Sequence, residues 1–214
     1  MTIVIGGGIT VGGGISIGRA VVDPATNTGG FNLAVLGNMP QDLYPAVSVC
    51  ADSQDAQFLI NPTSTYGTPE GFNFLNDWSW TQFDSNYVTV TTETNTDDTV
   101  IALGGADNAV LGSVAIAPGT KCMYSVTHTV FSGDPAGDAV GVGSATTQII
   151  GNNTYLGLTN QSLAVQSLGQ LLTNGVPVSF GYSTFQTNGQ IIDVVVDTVN
   201  NKMWYRVDGG AWQG

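Results

Sequence analysis

From residue 21 onward the chain runs in short apolar stretches separated by turn-forming residues. In residues 43–50, Tyr44, Ala46, Ser48 and Cys50 share one face while Val47 and Val49 share the other, the two-residue period of a strand. The same reading predicts strands at 31–36, 57–61, 87–92, 100–103, 110–116, 121–131, 139–143, 155–158, 162–165, 178–180, 191–197 and 203–207. In 191–197, Ile192, Val194 and Val196 alternate with Asp193 and Asp197, so the three aliphatics are expected in the core. Asn200-Asn201 is expected to form a two-residue hairpin turn between the last two long strands. Beyond Val207, Asp208-Gly209-Gly210 reads as a turn and Ala211-Trp212-Gln213 starts back. So short a return strand needs partners for its backbone groups from elsewhere in the sequence. No stretch has the apolar spacing of a three-turn amphipathic helix. The pattern is all-β, and the spacing of strands and turns indicates a sandwich.

The first twenty residues follow a different rule. Ile3-Val4-Ile5, Ile9-Thr10-Val11 and Ile15-Ser16-Ile17 recur every six residues and are separated by glycines. A flexible leader is the plainer reading, but flexible linkers are Gly/Ser-rich and poor in aliphatics. Triplets this short bury too little to fold alone. Residues 1–20 are therefore read as an assembly arm, with Ile3, Ile5, Ile9, Val11, Ile15 and Ile17 as its contact residues. Its expected partners are copies of the same chain, a trimer being one such form, or other proteins of the same assembly.

Composition narrows the function. The chain has 214 residues, 42% of them hydrophobic, with four Trp, seven Tyr and eight Phe to fill a core. Four Lys plus Arg stand against sixteen Asp plus Glu, a net charge of −12. Nucleic acid and anionic membranes need clustered cations, so neither is an expected partner. No segment reaches the roughly 18 apolar residues of a membrane span. The N-terminus also lacks the charged start and unbroken apolar stretch of a signal peptide. Cys50 and Cys122 lie in apolar strands and read as buried thiols, although two cysteines could also pair.

Little in the sequence carries reaction chemistry. Glu70 and Glu93 lie in unrelated segments, so the paired carboxylates of a glycosidase are missing. His128, the single histidine, sits mid-strand with no base-and-orienter set that could be assembled around it. Asp134 with Asp138, Asp52 with Asp55, and Asp97-Asp98 are read as loop carboxylates, but none has the spacing of a calcium loop. Trp78, Trp80, Trp204 and Trp212 could stack on a sugar, though Trp in a sandwich is more often core. No catalytic residue, cofactor or metal is expected, and the protein is read as a non-enzyme.

Four stretches carry a family resemblance: "KCMYSVTHTVFSGD", "AVGVGSATT", "NTYLGLTNQSLAV" and "GQIIDVVVDTVNNKMWYRVDGGAW". Together they resemble the front part of a SPRY-like, concanavalin A-like jelly-roll domain of bacteriophage virion proteins. In such domains the last stretch is followed by a tail of the kind seen here at residues 23–72, "DPATNTGGFNLAVLGNMPQDLYPAVSV" through "FLINP" and "TPEGF". The resemblance spans nearly everything after Ala20 and implies a circularly permuted sandwich over residues 21–214. Residues 21–75 would supply the strands that usually end the domain, and 76–214 those that usually begin it. Closure within one chain or between neighbouring chains both fit. The implied function is a tail-associated virion component (fibre, tip or baseplate) on an N-terminal arm, located in the virion. A capsid decoration protein, or an adhesion module binding a host surface glycan, is the alternative.

Overall fold

The structure, a computed structural model, describes residues 21–37, 39–50, 56–81, 88–93, 97–102, 108–134, 137–144, 155–179 and 181–214. The arm residues Ile3, Ile5, Ile9, Val11, Ile15 and Ile17 lie outside this set, as do Asp52 and Asp55. Among the described residues fifteen strands form in chain order: β1 (Phe31–Asn32), β2 (Leu43–Val49), β3 (Gln57–Ile60), β4 (Asn73–Phe74) and β5 (Trp80–Thr81) come first. They are followed by β6 (Val88–Glu93), β7 (Asp97–Ala102), β8 (Asn108–Gly112), β9 (Lys121–Val130) and β10 (Ala139–Ser144). The last are β11 (Ser162–Gln166), β12 (Leu171–Thr173), β13 (Val176–Ser179), β14 (Gln190–Asp197) and β15 (Lys202–Val207). No α-helix occurs among the described residues.

Two sheets result. One runs β1-β15-β14-β9-β3-β7-β6, with β4 joined to β9 beyond the end of β3; the other runs β13-β12-β11-β10-β2-β8-β5. Every pairing is antiparallel except the short β4–β9 contact. Their facing sides share one core, in which Phe58, Tyr124, Val126, Val194 and Val196 of the first meet Val47, Val140, Val142, Leu163 and Val165 of the second. This is a β-sandwich. Residues 21–75 contribute to both sheets: β1 pairs with β15, β2 lies between β10 and β8, and β3 lies between β9 and β7. The sandwich is closed within one chain.

The alternation in β14 holds, since Ile192, Val194 and Val196 are all fully buried. Several local expectations need correction. The segment expected as a strand over 31–36 keeps only Phe31–Asn32 extended and then turns into a 3₁₀ helix at Leu33–Leu36. Asn32 caps it by accepting the Ala34 N–H at 2.9 Å, an Asx cap that outcompetes the strand the aliphatics suggested. Residues 155–158 form a turn closed by the Leu158 N–H to the Tyr155 carbonyl, not a strand. Asp197 pairs with Lys202, so the hairpin connection is four residues, 198–201, rather than the two expected at Asn200-Asn201. The Asp197 carboxylate accepts the Asn200 N–H at 2.9 Å and so draws that residue into the longer turn. Asp97 and Asp98 start strand β7 rather than sitting in a loop. β4, β5 and β12 went unpredicted.

Val194→Asp would place an unpaired charge between the sheets and should destabilise by about 3–5 kcal/mol. Chemical denaturation checks this, and a wild-type midpoint would show the β14 register to be wrong.

Candidate functional site

The return strand that the sequence left without partners finds them on β15. Gln213 and Tyr205 exchange backbone hydrogen bonds of 2.8 and 3.1 Å, while Phe31 lies opposite Met203 and Asn32 opposite Lys202. One step along from each pair, Gly214 and Gly30 therefore both fall opposite Trp204. A Cβ on Gly214 would sit 2.7 Å from the Gly30 Cα and 2.9 Å from the Trp204 ring, and one on Gly30 would sit 2.7 Å from that ring. Only residues without a side chain fit there. The indole Nε1 donates to the Thr28 carbonyl at 3.1 Å, and Lys202 Nζ donates to the Asn27 carbonyl at 2.9 Å. Residues 23–28 form a small side loop pinned by the Asp23–Thr28 backbone pair. The two ends of the described chain thus build one edge strand together. Val21, the first described residue, is 78% exposed beside it, and Val22 packs on the Trp204 cluster.

The outer face of this sheet is ordered in cross-strand rows. The register of β9, β14 and β15 aligns Lys121–Asp197–Lys202, then Met123–Val195–Trp204, then Ser125–Asp193–Arg206. Sequence alternation placed Asp193 and Asp197 opposite the core; the structure buries them as well, because the outer face is roofed. Phe72, Phe74, Val22 and Trp212 cover the middle row. Arg206 Nε bonds Asp193 Oδ2 at 2.8 Å, and Arg206 Nη2 donates to the Gly67 carbonyl at 2.6 Å. Its guanidinium lies 4.3 Å from the Trp212 ring centroid and 6.0 Å from that of Tyr66. All three described cations are thus committed to this face, on one sheet. Sequence reading missed this cluster, although Lys121, Lys202 and Arg206 on strands flanking a strand with two Asp were its signal.

Asp197 is held by Lys121 Nζ at 3.0 Å and by the Asn200 side-chain amide at 2.7 Å. Burial works to raise its pKa, but the two hydrogen bonds from Asn200 and the ammonium of Lys121 outweigh it and bring the group below its ordinary 3.8.

His128 lies inside the sandwich. Its Nε2 faces Asp138 Oδ2 at 3.1 Å, its Nδ1 faces the Phe185 carbonyl at 3.1 Å, and its ring stacks on Phe58 at 4.4 Å. Asp138 also accepts the Ser132 N–H at 3.0 Å and the Cys50 N–H at 3.3 Å. Both ring nitrogens face acceptors, so both contacts are hydrogen bonds only when the pair carries a proton on each nitrogen, or one on Asp138. No nitrogen is left to serve a substrate. The node ties β9 of one sheet to β2 and β10 of the other.

The remaining candidates are spent on packing. Trp78 and Trp80 form an edge-on pair at 4.9 Å, and with Trp204 they are buried; Trp212 is half-buried on Arg206. Cys50 and Cys122 are buried thiols, and burial pushes the Cys122 thiol up to about 12, where it stays protonated and unreactive. Among the described residues, no group of three or more His, Cys, Asp or Glu is placed to hold a metal ion. Comparison of the chain with protein-family models, curated proteins and solved structures returned no match.

Two outcomes follow from the outer-face rows. Arg206→Ala leaves Asp193 buried without its cation and should cost about 3–5 kcal/mol, whereas Arg206→Leu combined with Asp193→Leu should recover most of that loss. Denaturant titration of the three proteins measures both. Because the folded pKa of Asp197 is depressed, its contribution is present above 3.8 and is lost as pH falls through the folded value. The melting temperature of Asn200→Ala should therefore trail wild type at neutral pH, with the gap narrowing in acid below about pH 4. A gap that stayed constant would contradict this assignment.

Proposed function

We propose that the chain is a non-enzymatic structural protein of a bacteriophage virion. In this reading it is a tail-associated component (fibre, tip or baseplate) that presents a lectin-like sandwich on an N-terminal anchor. The observation that carries this reading is the shared edge strand, in which residues 211–214 and Gly30–Asn32 lie end to end along β15 and meet where Gly214 and Gly30 both fall opposite Trp204. That is the join required by the rotated order of the motifs, with "DGGAWQG" leading into "DPATNTGG" and residues 23–28 as a side loop. It supports a circularly permuted concanavalin A-like, SPRY-like jelly roll. In this reading the arm precedes Val21, which is exposed beside the junction, and the sandwich is anchored from that edge. Residues 1–20 then join copies of the chain to one another or to other virion proteins.

Commitment of Trp78, Trp80 and Trp204 to packing favours presentation over sugar recognition, since a glycan platform needs exposed rings. Deletion of residues 1–20 separates the two roles. Incorporation into particles should fall at least tenfold, with no signal on a glycan array for either protein. Glycan binding that survives the deletion would make the protein an adhesion module, and undiminished incorporation would remove the anchoring role of the arm.

A further inference from the structure

The four sheet edges are not equally protected. β13 carries Pro177 at its edge, and β5 and β1 are two residues long, β1 being continued by the 211–214 segment. Edges of that kind resist an added strand. β6 is different. It runs six residues, Val88–Glu93, paired with β7 along its whole length from Val88 opposite Ala102 to Glu93 opposite Asp97. It contains no Pro, Gly or Lys, and five of its six residues are Val or Thr. Among the described residues nothing pairs with its outer side. Such an edge presents unpaired backbone groups that an incoming strand can take up.

We propose that the arm, residues 1–20, of a second copy of this chain adds to β6 as a strand. The inference rests on the assembly role given to the arm above and names its seat. Three features select this occupant. The first is length: the arm repeats every six residues, and β6 offers six, about 20 Å at roughly 3.4 Å per residue. The second is side-chain type, because the Ile/Val triplets favour a ladder and are too short to make one with each other. The third is charge. Residues 1–20 contain Arg19 and no acid, in a chain of net charge −12, while the tip of the β6–β7 hairpin gathers Glu93, Asp97 and Asp98. Glu93 stands opposite Asp97 in the hairpin register.

Sheet order explains why the arm comes from another copy. The described chain begins at Val21 on the β1 side, and β6 lies six strand spacings away at the opposite edge, about 29 Å at roughly 4.8 Å each. A chain's own arm would have to cross the roofed face before pairing could begin; a neighbour's need not. Arm to β6 is a head-to-tail contact, which closes into a ring or propagates as a filament.

The test compares the full chain with its Ile9→Asp/Val11→Asp variant by sedimentation and by amide hydrogen exchange. The proposal expects the variant to fall to monomer mass, with exchange in residues 88–93 at least tenfold faster and exchange in residues 190–197 unchanged. Loss of assembly with unaltered exchange in 88–93 would overturn the β6 seat and leave the assembly role of the arm standing. Faster exchange in 88–93 at unchanged mass would mean that the chain's own arm occupies β6, which also overturns the proposal. If neither mass nor exchange changed, the assembly role of the arm would fall together with its seat.

Discussion

Trp204 is the contact on which closure of this sandwich depends. Its ring lies where side chains would otherwise stand at Gly30 and Gly214, and its indole N–H holds the carbonyl of Thr28. One fully buried residue in β15 thereby fixes the C-terminal return strand, the start of β1 and the side loop between them. Loss of a buried Trp typically costs about 3–5 kcal/mol. Here the same loss would also loosen two separate segments of edge strand, each only two to four residues long and held otherwise by a few backbone hydrogen bonds and the packing of Phe31 and Trp212. Neither segment could persist alone.

The rest of the outer face extends from that contact. Trp204 continues the row Met123–Val195, and charged rows flank it on both sides. Asp193 and Asp197 tolerate burial because each has a cation on a neighbouring strand, and Arg206 is further held by the Gly67 carbonyl and the Trp212 ring. In a chain with only four cations, committing three to one face leaves the rest of the surface acidic.

Much of this was legible in the sequence. Period-two alternation found β2, β9, β14 and β15 and assigned the buried face of β14, because long strands give the pattern enough residues to declare itself. The expectation that 31–36 and 43–50 share a sandwich with 203–207 holds, since β1 pairs with β15 and β2 lies in the facing sheet. Local competition was harder to read. Asn32 diverts Leu33–Leu36 into a 3₁₀ helix, and Asp197 lengthens the hairpin turn, both through side-chain bonds to the backbone that hydrophobic patterning does not register. Burial of Asp193 and Asp197 depends on a roof whose Val22, Phe72 and Phe74 come from more than a hundred positions earlier in the chain, which no local window contains. The His128–Asp138 pair is likewise non-local in its consequences: ten residues separate them, but their shared role is to join two sheets.

The central claim is that residues 21–75 and 76–214 are two parts of one closed sandwich that meet at Gly30 and Gly214. The most direct measurement is the thermal melt of a re-ordered chain in which residues 76–214 are followed by residues 21–75. A closed sandwich predicts a single cooperative transition within a few degrees of the natural order, in a monomer. An aggregating chain, or one without a cooperative transition, would contradict it.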